Sequence, residues 1–472
     1  MAAVPGDIYF APIPELNQRL KSGEFTVLEL TRAFSERLQR LGPRYNALAL
    51  SLHQEAIRAA KDVDGDMKRE RYRGILQGIP FGAKDLLAYA GQPTAWGARP
   101  YAGQVFDETA TVLTKLSKIG AILTGKLAMV ELAGGGGYRM ASASMSGPGL
   151  NPWDRTRWSG GSSSGSGIAV AAGLVPFALG SETSGSILTP SAFCGVTGLR
   201  PTYGLVSRAG AMPLSWSMDK IGPLCRTADD CGHVLQTIAG SDGNDPGSAG
   251  KSFYYTPAYT RDMKEIKAGF APTDIEEWAD PPARPVFTQA MSIIRGLGIQ
   301  MSETKLPDFP YGPAANTIIT AEGSSVFEHL IESGEVEKLA DPKQIAGLKA
   351  GLEIPAKDYL RAMRIRTMIQ GAFHEVFALN DVLITPTRPG VAPKISQSLV
   401  VAPPPKNLGM SQLIPAGNLA GLPALSLPCG FVNGMPVAIS VVGRPFSENL
   451  LLSIGREFQK VTDWHKQHPK SD

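Results

Sequence analysis

The sequence predicts one large α/β domain, a central mixed β-sheet covered by helices on both faces, on three observations. Apolar, strand-like runs occur at both ends of the chain: Ala121-Ile122-Leu123 early, then Val382-Leu383-Ile384, Ala424-Leu425-Ser426-Leu427 and residues 437–442 late. Helical patterns separate them, the alternation that lays helices over a shared sheet. Apolar residues make up 43% of the 472, enough for a large core, and no Pro/Gly/Ser-rich break divides the chain. Length alone would allow about three domains. A single domain over residues 1–472, with its core at about 10–465, is the reading adopted. The 52 Gly and 37 Pro imply many tight turns without reaching a low-complexity composition.

The clearest helix covers 26–42. Thr26 and Glu29 make a T-x-x-E capping box, Leu28, Leu30, Ala33, Phe34 and Leu38 form one apolar face, and Gly42-Pro43 ends it. A second helix over about 108–119 stops at Gly120; the strand at 121–123 follows, and then a further helix near Leu127. Other helix-like stretches lie at 325–338, 358–379 and 448–461. Residues 240–315 are the least regular, with Pro/Gly/Asp clusters around 241–250 and 278–285, and read as peripheral elaboration. The chain has no internal repeat.

A net charge of +3, from 46 basic and 43 acidic residues spread along the chain, leaves no basic face for nucleic acid. The cluster Lys68, Arg69, Arg71 and Arg73 is interrupted by Glu70 and reads as a solvated loop. Cys194, Cys225, Cys231 and Cys429 make no disulfide framework and show no CxxC spacing, so neither a zinc site nor another metal is expected. The first residues lack the basic and apolar regions of a signal peptide. The longest apolar stretch, 168–179, is too short to span a bilayer. The expectation is a cytoplasmic monomer or homodimer acting on a small molecule, with no membrane or nucleic-acid partner.

Chemistry concentrates between Ser159 and Pro201, where two Gly/Ser-rich turns flank an apolar, Ala-rich segment. A flexible linker has the first composition but not the second, so these hydroxyls are held in place. Gly161-Ser162-Ser163-Ser164-Gly165 satisfies G-x-S-x-G, which would make Ser163 a nucleophile served by a downstream histidine. His233, His329 and His374 fall in helix-like stretches, His465 and His468 belong to no loop signature, and a turn leads into Gly161. That reading is set aside. Ser217-Met218-Asp219-Lys220 is an S-x-x-K string without its companion motifs, flanked by Pro213 and Pro223, and reads as chance. GGSSSGSG has neither the lysine of a phosphate loop nor a ribose-binding acid.

The second turn, Gly180 to Ser186, is different. Consecutive small residues let backbone N–H groups converge on one point, as an oxyanion hole requires, and a serine ending such a turn can attack a carbonyl. A plain β-turn is the alternative. With no convincing histidine, the base would be a lysine kept neutral by burial. Lys84, in Gly78-Ile79-Pro80-Phe81-Gly82-Ala83-Lys84-Asp85-Leu86-Leu87, sits in an apolar segment where an exposed lysine is out of place. A structural role for it is equally open.

Together these motifs resemble the amidase signature family of Ser-Ser-Lys hydrolases, over about residues 10–465. GIPFGAKDLL is similar to the family's lysine motif, and Ser159–Pro201 to its signature, including Ala192-Phe193-Cys194-Gly195 and Gly198-Leu199-Arg200-Pro201. Asn151-Pro152-Trp153 precedes it as in the family. Thr385-Pro386-Thr387, Asn418 to Ala424 and Val442-Gly443-Arg444-Pro445 match later motifs in order. The resemblance implies that Ser186 is the acylating nucleophile, that Ser162, on a cis peptide, relays the proton, and that Lys84 is the neutral base. It places the oxyanion hole on the amides of Thr183, Ser184, Gly185 and Ser186, and substrate contacts on Gly134, Gly135 and Gly136. It also implies hydrolysis of a C–N bond through an acyl-enzyme, with no cofactor. Two other classes stay in view: the ammonia-releasing subunit of a tRNA-dependent amidotransferase, and an esterase-type hydrolase with a histidine triad.

The departures bear on substrate. The family turn is usually T-D-x-G-G-S-I-R; here Glu182 lengthens the Asp, Ser184 replaces a Gly, and Leu188 removes the Arg. The segment Gly134 to Gly147 is a few residues longer than usual and carries Tyr138, Arg139, Met140 and Met145. With Leu150 and Leu188 nearby, the expected substrate is a neutral, fairly apolar amide, anilide or carbamate.

Overall fold

The computed structural model describes residues 4–257, 261–399 and 409–470. Its strands are β1 (Leu48–Ser51), β2 (Pro80–Lys84), β3 (Ile122–Leu127), β4 (Leu150–Asn151), β5 (Asp154–Trp158), β6 (Phe177–Glu182) and β7 (Thr197–Arg200). The rest are β8 (Lys220–Cys225), β9 (Lys267–Phe270), β10 (Gln300–Glu303), β11 (Val382–Pro386), β12 (Ala424–Val432) and β13 (Met435–Gly443). Eleven strands form one sheet in the order β1-β3-β2-β6-β8-β7-β12-β13-β11-β9-β10, while β4 and β5 pair separately. Within it β2 runs parallel to β3 and β6, and β9 parallel to β10 and β11. The remaining neighbours are antiparallel. Strands from both ends of the chain therefore share one mixed sheet.

Side chains alternate across a strand, so a sheet covered on both faces needs apolar residues at every position. β6 shows this directly: Phe177 and Leu179 join one hydrophobic cluster, and Ala178 joins another. The helix Val27–Leu41 begins as its capping box requires. Thr26 Oγ1 accepts from Glu29 N at 3.1 Å, and Glu29 Oε2 accepts from Thr26 N at 2.9 Å. Its Leu30, Phe34 and Leu38 are buried in the core. Among the described residues, no helix is long and apolar enough to cross a membrane.

Four expectations are corrected. No helix forms near Leu127: β3 runs through that residue, and only a short 3-10 turn, Glu131–Gly134, follows. Pairing with β1 on one side and β2 on the other, where Leu127 faces Lys84, outweighs the helical preference of Leu-Ala-Met. The helix drawn at 325–338 is two helices, Tyr311–Val326 and Glu328–Glu332, stopped by Gly334 at φ 76° and followed by a 3-10 turn. Residues 240–315 are not merely peripheral, because they supply β9, the helix Arg284–Gly296 and β10 to one end of the main sheet. β10 is an edge strand whose Gln300, Ser302 and Glu303 face solvent, so no apolar run marked it. Finally, a strand does precede Gly161: β5, paired with β4 in a hairpin outside the main sheet.

Candidate active site

The parallel neighbours β2 and β6 end side by side, and the carboxyl ends of parallel strands are where α/β sheets gather functional groups. Lys84 is the last residue of β2 and is 0% exposed. Its Nζ lies 2.6 Å from Ser162 Oγ and 2.9 Å from Ser181 Oγ. Ser162 sits in the turn between β5 and the helix Ser164–Ala171, after a cis Gly161–Ser162 peptide, and its carbonyl accepts from Val130 N at 3.1 Å. Ser186 occupies the turn between β6 and the helix Leu188–Cys194. The Ser186 carbonyl accepts from Ser163 N at 3.3 Å, which ties the two serine turns together. The Ser186 hydroxyl makes no hydrogen bond among the described residues, to Ser162 or to any other.

Burial pushes the Lys84 ammonium down to about 7, against the upward pull of the Asp219 and Glu182 carboxylates. Its chain neighbour Asp85 does not hold it. The Asp85 carboxylate takes Lys126 Nζ at 3.0 Å and Ala95 N at 3.1 Å. Among the described residues, two buried lysines on adjacent strands thus differ in kind: Lys126 has a carboxylate, Lys84 only hydroxyls and a carbonyl. Among the described residues, no group of three or more His, Cys, Asp or Glu could hold a metal ion.

Glu182 explains how the departing turn is held. Its Oε2 accepts from Ile187 N at 2.9 Å and Leu188 N at 3.0 Å, at the start of the helix that follows Ser186. Its Oε1 accepts from Arg200 Nη1 at 2.9 Å and Asn418 Nδ2 at 2.8 Å. Burial alone would raise the Glu182 carboxyl, but Arg200, Asn418 and Lys220 outweigh it and hold the group at about 2. The Leu188 side chain packs into an apolar cluster with Met218 and Leu419 rather than beside the serines. Gly185 turns the chain at φ 86°, in the left-handed region that a glycine tolerates without strain. Among the described residues, no acceptor takes the amides of Ser184, Gly185 or Ser186.

Glu182→Gln breaks this clamp. It leaves the Arg200 guanidinium, itself 0% exposed, without its carboxylate. Breaking a buried pair from one side costs about 3–5 kcal/mol, so the urea midpoint should fall by that equivalent and kcat should fall with it. An unchanged midpoint would mean the clamp does not hold the turn.

A cavity of about 200 Å³ opens beside the turn, with Ser181, Thr183, Ala133, Met212, Leu214 and Lys220 in its wall. Ser181, Asp219 and Lys220 were not singled out as site residues from the sequence. Thr183 Oγ1 donates to Asp219 Oδ1 at 2.6 Å, and Asp219 Oδ2 accepts from Leu214 N at 2.8 Å and Ser215 N at 2.9 Å. Lys220 opens β8 opposite Glu182 and donates to the Met218 carbonyl. The S-x-x-K string is therefore beside the site, although not as that motif. The available signal was the one that picked Lys84: a lysine heading an apolar run, here Lys-Ile-Gly-Pro-Leu-Cys.

Gly134 and Gly136 have φ of 91° and 78°. A Cβ at Gly136 would fall 2.4 Å from the Gln344 carbonyl oxygen, so this glycine seats the turn on the helix Pro342–Leu352. Ala133, just before, is the part of this segment that reaches the cavity. Ser163, the elbow candidate, is 0% exposed; its Oγ donates to Ser181 O at 3.1 Å and accepts from Ser181 N at 3.2 Å.

The Amidase family matches residues 29–452. A glutamyl-tRNA(Gln) amidotransferase subunit from Chloroflexus aggregans is 35% identical, across 98% of this chain and 99% of its own. The solved peptide amidase from Stenotrophomonas maltophilia superposes with a TM-score of 0.82 at 28% identity, covering 98% of this chain and 99% of its own. A bacterial aryl acylamidase reaches a TM-score of 0.88 at 21% identity, covering 99% of this chain and 100% of its own, a likeness of fold. Fold and comparisons define an α/β enzyme acting on carbon–nitrogen bonds. The chain belongs to the amidase signature family.

Proposed function

We propose that this protein hydrolyses a small amide, anilide or carbamate with an apolar body through an acyl-enzyme on Ser186. The observation that carries the reading is the fully buried Lys84 amine, 2.6 Å from Ser162 Oγ and, among the described residues, hydrogen-bonded to no carboxylate. With its pKa near 7, this amine is substantially neutral at neutral pH. It accepts a proton through Ser162 as Ser186 attacks the substrate carbonyl, a relay that stands where a histidine stands in other serine hydrolases. The Ser162–Ser186 contact closes when substrate binds, as catalytic hydrogen bonds that are long in an empty site do. The carbonyl oxygen settles on the amides of Thr183, Ser184, Gly185 and Ser186. The same path returns the proton to the leaving nitrogen and then activates water against the ester. The cavity walled by Ala133, Met212 and Leu214 gives the substrate's apolar body a place, with the Gly134–Gly136 turn shaping that wall.

A second reading, an ammonia-releasing protein that works only with partners, is favoured by the 35% identity to the Chloroflexus amidotransferase chain. A panel of aryl amides, aliphatic amides, carbamates and esters separates the readings. The purified chain alone should release amine from at least one amide or carbamate. Turnover that appears only after partner proteins are added favours the second reading, and turnover confined to esters favours an esterase.

A further inference from the structure

Arg388 follows the Thr385-Pro386-Thr387 motif, and the reaction scheme above gives it no role. Its guanidinium makes no hydrogen bond and no ion pair among the described residues, and its Nε is buried without an acceptor. Its Cζ lies 6.0 Å from the centroid of the Phe193 ring. Trp158, 5% exposed, holds a second buried donor without an acceptor, its indole Nε1. Tyr138 stands edge-on to Trp158 at 5.9 Å, and its hydroxyl bonds to no described residue.

These groups adjoin the reacting centre. A Cβ on Gly161, the residue bonded to Ser162, would lie 3.0 Å from the Trp158 ring and 3.4 Å from the Tyr138 hydroxyl oxygen. Phe193 belongs to the helix Leu188–Cys194, which starts two residues after Ser186. Burial lowers the Arg388 pKa, and the phenol of Tyr138 opposes it; no carboxylate among the described residues does.

Arg388 is half-buried, and withdrawing its Nε and the Trp158 indole N–H from water without partners among the described residues is unfavourable; the missing complement has a definite chemistry. Guanidinium and indole are donors without acceptors, and a phenol can donate a third bond. A carboxylate is acceptor-only, planar and anionic, and it matches a guanidinium with two parallel hydrogen bonds. We propose that Arg388, Trp158 and Tyr138 form a subsite for a carboxylate carried by the amide substrate. This inference rests on the amidase reading and refines it. Position 188 lacks the family's arginine, which suggested a neutral substrate, but Arg388 supplies a cation from another strand end.

Two matched pairs test the subsite: succinanilate against butyranilide, with the carboxylate on the acyl side, and 4-acetamidobenzoate against acetanilide, with it on the amine side. At least one carboxylate amide should be preferred by about 10- to 100-fold in kcat/KM, mostly through KM, the scale of a charge-assisted hydrogen-bonded contact. Arg388→Met should collapse that ratio toward one, and Arg388→Lys should recover part of it. Binding is read separately by titrating benzoate onto Ser186→Ala, followed by calorimetry; adding Arg388→Met should weaken it at least tenfold. Equal rates for both members of each pair, a preference that survives Arg388→Met, or benzoate binding indifferent to Arg388 would each overturn the subsite. Arg388-dependent benzoate binding in a chain that hydrolyses no amide would support the subsite and count against the amidase reading instead.

Discussion

Ser186→Ala is expected to lower amide turnover by about 10⁴-fold or more and to abolish mass labelling by a fluorophosphonate, while leaving the melting temperature unchanged. The three readouts belong together because of where this hydroxyl sits. Ser186 retains 8% of its surface, and its hydroxyl makes no hydrogen bond among the described residues, so truncation removes the proposed nucleophile and no structural bond. Ser163 is the informative control. Its hydroxyl both donates to and accepts from the Ser181 backbone, so Ser163→Ala leaves buried groups unpaired at about 1–3 kcal/mol each and should lower stability. Ser163→Ala should still be labelled. A label that survives Ser186→Ala and vanishes in Ser163→Ala would restore the G-x-S-x-G elbow and remove the lysine relay.

Those serines were legible because they are small polar residues in turns around an apolar element, and Lys84 because a lysine is foreign to an apolar strand. Residue pattern alone does not bring the Lys84 amine to Ser162, 78 positions away; the β2–β6 pairing sets Lys84 beside Ser181, and the turn before the helix Ser164–Ala171 carries Ser162 to the same amine. The clamp on the Ser186 turn was not legible. Glu182 looked like a lengthened acid bearing on the substrate, yet its carboxylate is consumed by Arg200 and by Asn418, 236 positions away. Leu188 looked like a pocket residue, and its side chain faces a core cluster. β9 and β10 are four-residue strands, the latter with exposed side chains, so neither periodicity nor an apolar run announced them. Arg388 gave no signal at all. Its interest lies in the absence of a counterion around it among the described residues, and an absence in space has no counterpart in sequence.

Lys84→Met is expected to lower kcat/KM by about 10²- to 10⁴-fold, the range a general base supplies, and to make the folded protein more stable at neutral pH. The native amine titrates at about 7 because burial outweighs Asp219 and Glu182. Below that pH the amine is protonated and cannot take the proton from Ser162, so activity rises through pH 7 and levels above it. In the unfolded chain the same lysine titrates near 10.4. Between the two values the unfolded state holds one more proton, so stability contributed by this group rises with pH across that window. At pH 7 and below, keeping the site ready for catalysis costs on the order of 4 kcal/mol. Methionine removes that cost. The three hydrogen bonds it forfeits, to the Ser162 and Ser181 hydroxyls and the Ser181 carbonyl, offset about 1 kcal/mol each. The gain in melting temperature should therefore be largest near pH 7 and shrink toward pH 10. Lys220 provides the contrast, since burial also lowers its pKa and it lines the cavity beside the Ser186 turn. The kinetic limb near pH 7 should persist in Lys220→Met and disappear from the residual rate of Lys84→Met. The reverse pattern would move the base from the end of β2 to the start of β8, and the relay through Ser162 would lose its proton acceptor.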